Sequence, residues 1–513
     1  MTEKKQPRSK KSIREQAYEA LLAVTRDGMQ SHLVIRGYLQ KMENSTDRAF
    51  FLRLVEGTLE YRLQLDYVID QYSKTRTAKM RPGIREILRM AVYQILYMDS
   101  VPDRAAVSEA VKLTAQKGFA GLRGFVNGVL RTIAREKENI CRPDPEEENI
   151  RRPDQKEGFC WPDRDKESAR ALSVRWSVGE DLIKAWLPVY GAEKTEAICR
   201  AFLKDRPLAV RIYKEEMLPE NGQEIEASDI LPHSGFLRKG LDPASLAAFR
   251  EGQIYVQDLS SQLAVTAAGI RPGDRVLDLC AAPGGKSLLA VSFGAQVCAR
   301  DLTEEKADRI RENAARCLQT ILASEKEETG IEKQTGAAEI EKEIQTGIAE
   351  IDNERQTALA EQSGKRRRER LCAEAADACV YDPACEAAFE VVIADLPCSG
   401  FGVAGRKPEI KYKPYRETVS ALAEIQKKIL ANAVRYVRPG GKLLYSTCTI
   451  AREENEDQVR WLLDTFPLQP EKPAEPVYAL LQSRGISYTE TGVQLLPCDG
   501  PWDGFFFAVL HRD

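Results

Sequence analysis

Histidine is scarce in this chain of 513 residues, in which only His32, His233 and His511 occur. No two of its twelve cysteines are spaced as a CxxC pair. Zinc sites are usually built from such Cys and His pairs, and histidine is the commonest general acid or base. The sequence therefore offers little for a zinc site or for histidine-driven catalysis, and we expect no metal.

Long apolar runs are also missing, since none reaches the roughly 18 residues that a membrane span needs. The first residues, MTEKKQPRSKK, lack the apolar core of a secretory signal. We therefore expect a cytoplasmic protein. In that compartment its cysteines are expected to be thiols and not a disulfide framework.

The net charge of −3 is too small to indicate a partner for the whole chain, but the charge is unevenly distributed. Residues 1–140 contain 25 Lys and Arg against 16 Asp and Glu, a local charge of +9. Such an excess suits a polyanion such as nucleic acid. A solvated helical domain that happens to be basic is an equally good interpretation of the charge alone.

Hydrophobic spacing divides the chain into four parts. Residues 1–140 have the period of helices and no strand pattern, and the Pro-rich, charged residues 141–170 are typical of a linker. Residues 171–255 indicate a small α+β connecting domain, with a helix at 179–203 and a strand at 207–213. From 256 to 513, short β-rich runs alternate with helices, which predicts an α/β fold with a parallel, doubly wound sheet.

A charged insertion interrupts this last domain at residues 321–370. It repeats TGIEK, TGAAEIEKEI and TGIAEI, carries 11 acidic and 4 basic residues in 321–361, and ends in the basic run KRRRER at 365–370. Such composition is typical of a solvated, partly helical or disordered segment. A regulatory or RNA-contacting role for KRRRER is the less favoured interpretation, because charge runs usually only solvate a surface.

The segment Asp278-Leu-Cys-Ala-Ala-Pro-Gly-Gly-Lys286 lies between a predicted strand and a predicted helix. Its glycines allow close approach of a ligand, and the helix N-terminus favours polar or anionic groups. Asp301 ends the next predicted strand, where an acidic residue accepts hydrogen bonds from ribose hydroxyls in nucleotide-binding units. The segment is not GxGxxG, and Cys280 and Pro283 depart from the phosphate loop GxxxxGK[ST], so a nucleoside cofactor is favoured over a phosphate.

Two further motifs end predicted strands. Asp395-Leu-Pro-Cys398-Ser-Gly follows the strand 391–394, and Thr447-Cys448-Thr follows the strand 442–446. Ligands of open parallel sheets bind at these carboxyl ends. A free cysteine is often only a small buried hydrophobe, but that interpretation fits poorly for two at one rim, one of them close to an aspartate.

These motifs in their order, followed by Glu454-Asn455-Glu456 and Asp503-Gly504-Phe505-Phe506, resemble the RNA 5-methylcytosine methyltransferases. The phrases LVEGTLEYRLQLDYVID, RPGIREILRMAVYQILYM and GFVNGVLRTI resemble the NusB-like RNA-binding domain. The pairing resembles the bacterial Sun (Fmu) family. That resemblance implies a NusB-like helical RNA-binding domain followed by a Rossmann-like methyltransferase domain. It also implies S-adenosylmethionine as cofactor and carbon 5 of a cytosine in small-subunit 16S ribosomal RNA, cytosine 967, as target. We expect the protein to be a monomer.

The resemblance also assigns residues to roles. It implies that Cys448 is the nucleophile that adds to carbon 6 of the base, that Cys398 assists release, and that Asp395 binds the base. Whether Lys286 orients Asp395 or the base is left open. The implied cofactor contacts are Cys280, Ala281, Ala282, Pro283, Gly284, Gly285, Lys286, Asp301, Asp377 and Asp395. A P-loop ATPase or helicase, a ribose 2′-hydroxyl methyltransferase and a non-catalytic RNA-binding factor are the alternatives.

Overall fold

The computed structural model describes residues 11–140, 161–162, 168–214, 224–328 and 370–513. Most of the predicted linker 141–170 and most of the predicted insertion 321–370, including all of KRRRER except its last residue, lie outside these ranges. The chain divides into two compact units. Unit 1 comprises Met1–Asp205 and Val403–Thr418, and unit 2 comprises Arg206–Gly402 and Val419–Asp513.

Unit 1 is helical, as predicted for its N-terminal residues. Ser12 and Asn44 cap the first and third helices by accepting hydrogen bonds from backbone N–H groups, and Pro82 opens the fifth, where its missing N–H costs nothing. The helices are α1 Ile13–Thr25, α2 Ser31–Leu39, α3 Ser45–Glu60, α4 Arg62–Tyr72, α5 Pro82–Tyr97, α6 Asp103–Gln116, α7 Arg123–Arg135, α8 Ser168–Trp176 and α9 Glu180–Ala201.

The short segment 403–418 packs within unit 1, although it lies far along the chain. The Nζ atom of Lys411 donates to the carbonyl oxygen of Glu60 at 2.9 Å, and the hydroxyl of Tyr412 donates to that of Leu59 at 2.7 Å. Lys411 is fully buried, and burial lowers its pKa to about 8. The sequence did not predict this placement.

Unit 2 begins with a small antiparallel sheet. Its strands are β1 Ala209–Ile212, β2 Ile225–Ala227, β3 Ser234–Leu237 and β4 Ile254–Val256, in the order β2-β3-β1-β4. The four-residue helix α10, Ala247–Arg250, precedes β4. A compact apolar cluster that includes Val210, Ile225 and Ile254 stabilises this sheet.

The large sheet of unit 2 has the predicted doubly wound character. Its strands are β5 Arg275–Asp278, β6 Gln296–Asp301, β7 Leu371–Ala375, β8 Phe389–Asp395, β9 Val437–Thr447, β10 Leu468–Glu471, β11 Val493–Leu495 and β12 Phe505–Arg512. Their order is β10-β12-β9-β8-β5-β6-β7, with β11 paired to β12. Strands β5 to β9 are parallel, whereas β12 pairs antiparallel with both β9 and β10, which the sequence did not predict.

The helices of unit 2 are α11 Leu259–Ala267, α12 Gly285–Ser292, α13 Glu304–Glu328, α14 Tyr415–Tyr436, α15 Glu456–Thr465 and α16 Val477–Ser483. The helix α14 begins in the segment that belongs to unit 1 and continues into unit 2. The strands that follow β5 in the chain, β6 and β7, lie on one side of it, whereas β8 and β9 lie on the other side. Ligands of such sheets bind beyond the carboxyl ends of the strands at this switch point.

Among the described helices, none combines the length and apolar character that crossing a membrane demands.

Candidate active site

The predicted site residues meet at one rim of the large sheet. In the strand register, Asp278 of β5 pairs with Ile393 of β8, and Asp395 of β8 pairs with Ser446 of β9. Asp301 ends β6 beside Ala375 of β7. Parallel pairing thus brings the carboxyl ends of five strands together at the position where the strand order reverses.

The loop between β5 and α12 is shaped by its glycines. Gly284 has φ of +105°, a left-handed conformation that favours glycine. A Cβ atom on Gly285 would lie 2.8 Å from the Tyr255 ring, so only glycine fits there. The loop is fastened to the next strand, because the Ala282 N–H donates to Oδ2 of Asp301 at 2.9 Å. The backbone therefore forms a narrow cradle at the start of α12.

Two acidic residues flank this cradle in different environments. Asp301 is buried, and its Oδ1 atom accepts from the Leu302 N–H and from Nζ of Lys306, both at 2.7 Å. Asp377 follows β7, is exposed, and accepts from the Cys379 N–H at 2.9 Å. Asp301 lies directly against the loop, whereas Asp377 accepts its hydrogen bond from within its own turn.

Beneath the loop lies a buried carboxyl group on Asp278. Its Oδ2 atom accepts from the Ser287 hydroxyl at 2.7 Å, while Oδ1 has no hydrogen-bond partner in the described part of the chain. Burial raises the pKa of Asp278 to about 7, although the Ser287 hydrogen bond opposes the shift. Burial likewise raises the pKa of the nearby Cys280 thiol, so this cysteine remains protonated. Cys280 therefore belongs to the loop's packing and is a poor nucleophile.

The side chain of Lys286 is directed at Asp395. Its Nζ atom lies 2.7 Å from Oδ2 of Asp395, and the hydroxyl of Ser446 donates to Oδ1 at 2.7 Å. Burial opposes the charge on Lys286, but the Asp395 carboxylate outweighs it and raises the pKa of the lysine. Nζ also donates to the Ser261 hydroxyl at 3.3 Å. The sequence did not identify Ser446 or Ser261, because a lone serine carries no motif.

The two cysteines of the rim are in contact. Their sulfur atoms lie 3.3 Å apart, although Cys398 and Cys448 are separated by 50 residues in the chain. The hydrogen bond to Cys448 and then burial raise the pKa of Cys398 well above its ordinary value. Cys398 therefore keeps its proton near neutral pH, and either sulfur atom can be the donor in the contact between the two thiols.

Comparisons with known proteins bear on both halves of the chain. Residues 11–135 match the NusB family, and residues 332–511 match the family described as 16S rRNA methyltransferase RsmB/F. The crystal structure of PH0851 superposes with a TM-score of 0.68 at 21% identity, covering 97% of this chain and 98% of that one. This likeness concerns the fold alone and agrees with a helical domain followed by a Rossmann-like one.

Curated relatives match over nearly the whole chain. A probable ribosomal RNA small subunit methyltransferase B of Bacillus subtilis is 30% identical, over 98% of this chain and 99% of its own length. The ribosomal RNA small subunit methyltransferase B of Klebsiella pneumoniae strain 342 is 27% identical over 98% and 99%. These matches span the helical unit, the cradle and both cysteines, and the chain therefore belongs to the family of ribosomal RNA small subunit methyltransferase B enzymes.

Proposed function

We propose that this protein transfers a methyl group from S-adenosylmethionine to carbon 5 of a cytosine in 16S ribosomal RNA, with cytosine 967 as the target. The observation that carries the proposal is the pair of thiols 3.3 Å apart at the rim that also holds Asp395. A single thiol would serve as a nucleophile, and a second one beside it suits a reaction in which the adduct must also be resolved. A ribose 2′-hydroxyl methyltransferase has no use for this pair.

The cradle fits the nucleoside cofactor. The left-handed turn at Gly284 shapes the loop, the start of α12 favours polar groups, and Asp301 supplies a carboxylate beside the loop. Residues 280–285, Asp301 and Asp377 would hold the cofactor, which supplies an electrophilic methyl group. The side chain of Lys286 is committed to Asp395, so we assign its contribution to the base-binding side of the site.

Cytosine carbon 5 is a weak nucleophile, and the residues of the rim increase its nucleophilicity. The thiolate of Cys448 adds to carbon 6, which turns the C5–C6 bond into an enamine whose carbon 5 takes the methyl group. Asp395, oriented by its ion pair with Lys286, accepts a hydrogen bond from the N4 edge of the base. A general base then takes up the C5 proton, the electrons of that C–H bond re-form the C5–C6 double bond, and the C6–S bond breaks to release the Cys448 thiolate. Cys398 assists this step from its position beside the sulfur.

The helical unit is proposed to bind the RNA. Its basic N-terminal residues and their match to the NusB family support phosphate contacts. Attack at carbon 6 and methylation at carbon 5 require access to the base, so the target is expected to be unpaired or flipped out.

Two cysteine variants test the proposal. Cys448→Ser should abolish methylation and form no covalent complex, because a serine hydroxyl is almost wholly protonated near neutral pH. Cys398→Ser should still attack and transfer methyl, and then remain joined to RNA through Cys448. The measurement is a denaturing gel after incubation with 16S RNA and cofactor, together with mapping of 5-methylcytosine.

The matched control is Cys298→Ser, which changes a half-buried cysteine on β6 away from the pair. It should methylate as the wild type does and trap no RNA. An adduct only in Cys448→Ser would reverse the two roles, and full activity in both variants would refute the thiol mechanism.

A further inference from the structure

A buried carboxylate lies behind the two cysteines. Glu454 is 0% exposed, and its Oε1 atom accepts from the Ser399 N–H at 2.9 Å and from Nε2 of Gln426 at 3.0 Å. Its Oε2 atom accepts from the Ser399 hydroxyl at 2.5 Å. Three donors thus converge on one carboxylate, and two of them come from the residue that follows Cys398.

A chain of hydroxyl groups connects this carboxylate to the other cysteine. Oγ of Ser399 lies 2.7 Å from Oγ1 of Thr449, the residue that follows Cys448. Because a carboxylate only accepts, Ser399 donates to Glu454, and Thr449 donates to Ser399. The direction of the chain is therefore fixed, and it joins the two residues that follow the two cysteines.

The next residue, Asn455, completes the arrangement from the other side. It is also 0% exposed, its Oδ1 atom accepts from the Thr447 hydroxyl at 2.6 Å, and its Nδ2 atom donates to the Thr449 carbonyl at 3.1 Å. Both neighbours of Cys448 are thus held by one amide. We call Ser399, Thr449, Glu454 and Asn455 the Glu454 bridge.

A contribution to folding stability does not by itself explain why these buried polar residues are present in the Glu454 bridge. Burying a carboxylate is costly, and an apolar pair of similar volume is often as stable as a buried polar one. The hydrogen bonds of Glu454 and Asn455 described above reach the residues that flank the two cysteines, so their positioning effect would act through the backbone that carries Cys398 and Cys448. The contacts are directional and fixed in length, which is what holding two loops in register requires.

We propose that Glu454, supported by Asn455, is a positioning residue that sets the separation of the Cys398 and Cys448 thiols. Its catalytic consequence rests on the proposed function, namely that release of the methylated base needs Cys398 beside Cys448. The separation of the thiols itself does not depend on any activity and is tested without RNA.

The first experiment measures how readily the two thiols join. Diamide takes up two electrons and two protons as the thiols become a disulfide, and the rate is read by mass spectrometry of the RNA-free protein. Glu454→Gln should slow formation of the Cys398–Cys448 disulfide by about 10-fold or more, because one amide cannot accept both Ser399 donors and the loops separate. Glu453→Gln, the same change at the exposed neighbouring residue, should match the wild type.

The second experiment measures methylation of 16S RNA. In Glu454→Gln, kcat should fall by about 10- to 100-fold with KM for RNA little changed, and the protein–RNA adduct should persist as it does in Cys398→Ser. A merely structural defect would lower the fraction of active enzyme without prolonging the adduct. Ser399→Ala removes both hydroxyl contacts but keeps the Ser399 N–H bond, and it replaces Glu454→Gln if that variant does not fold.

An unchanged disulfide rate in Glu454→Gln, or in Ser399→Ala in its place, overturns the proposal. A slowed disulfide in a protein that fails to methylate cytosine through Cys448 leaves the positioning role standing and refutes only the proposed function. Slowed disulfide formation with normal turnover and no persistent adduct refutes the catalytic role of the bridge.

Discussion

Replacement of Lys286 by methionine tests whether this lysine serves the base or the cofactor. The change keeps most of the side-chain volume and removes the cation that lies 2.7 Å from Asp395. The side chains of Lys286 and Asp395 are 13% and 28% exposed, between a surface pair and a buried one. Removing one partner of a buried pair costs about 3–5 kcal/mol and an exposed pair contributes about 0–1, so we expect a loss of about 2 kcal/mol in unfolding free energy.

The effect on catalysis should be larger. Without Lys286, Asp395 loses the cation that lies against its Oδ2 atom, and the Cys448 thiolate loses a nearby cation that the raised pKa of the lysine reflects. Loss of one positioned electrostatic group typically costs about 10²- to 10³-fold in kcat. Single-turnover methylation at saturating cofactor and RNA should show that loss, while cofactor affinity measured by calorimetry changes little.

The matched control is Lys306→Met, which removes another lysine at 2.7 Å from an aspartate of the same rim, Asp301. Lys306 is 47% exposed, so its loss should alter stability by no more than about 1 kcal/mol and leave the chemical step unchanged. If Lys286→Met keeps the wild-type rate at saturation and instead weakens cofactor binding, Lys286 is a cofactor residue and our assignment is wrong.

Two further predictions concern the carboxylates around the cradle. Asp301→Ala should weaken S-adenosylmethionine binding by about 10-fold or more in calorimetry, because a buried acceptor is lost, and unchanged affinity would remove Asp301 from the site. Burial raises the pKa of Asp278 to about 7, so between about pH 4 and pH 7 the folded state keeps a proton that the unfolded state releases. The unfolding free energy should therefore fall by up to about 4 kcal/mol as the pH rises from about 4 to about 7. Asp278→Asn should remove that fall in denaturant titrations at pH 5 and pH 8; an identical pH profile in the variant would refute the raised pKa.

Local patterns predicted most of the elements that build the site. The strand Gln296–Asp301 has the predicted bounds, and the helix predicted at 416–436 is Tyr415–Tyr436. These elements follow from alternation and helical spacing, which act over a few residues. The fold class is confirmed for the same reason, since alternating strands and helices leave few topologies open.

Contacts between residues that are far apart along the chain could not be predicted from the sequence. Strand β12 has an almost continuous apolar run, Phe505–Leu510, which gives no alternation from which to predict its antiparallel pairing with β9. The distance of 3.3 Å between the cysteine thiols depends on the register of β8 and β9, and Ser399 and Thr449 look ordinary until that register brings them together. Glu454 belongs to a recognisable motif, but no local pattern shows which carboxylate of that motif will be buried.

The path of the chain between the two units limits how the protein can be divided. It passes from unit 1 to unit 2 after Asp205, returns at Val403, and leaves again after Thr418. A protease cut or a gene boundary at any one of these crossings would leave at least one half without a stretch of its own chain. The returning stretch starts shortly after Cys398 and contains the buried Lys411. A single truncation therefore cannot separate the two units, because the fragment 1–418, which retains all of unit 1, also carries Arg206–Gly402 of unit 2.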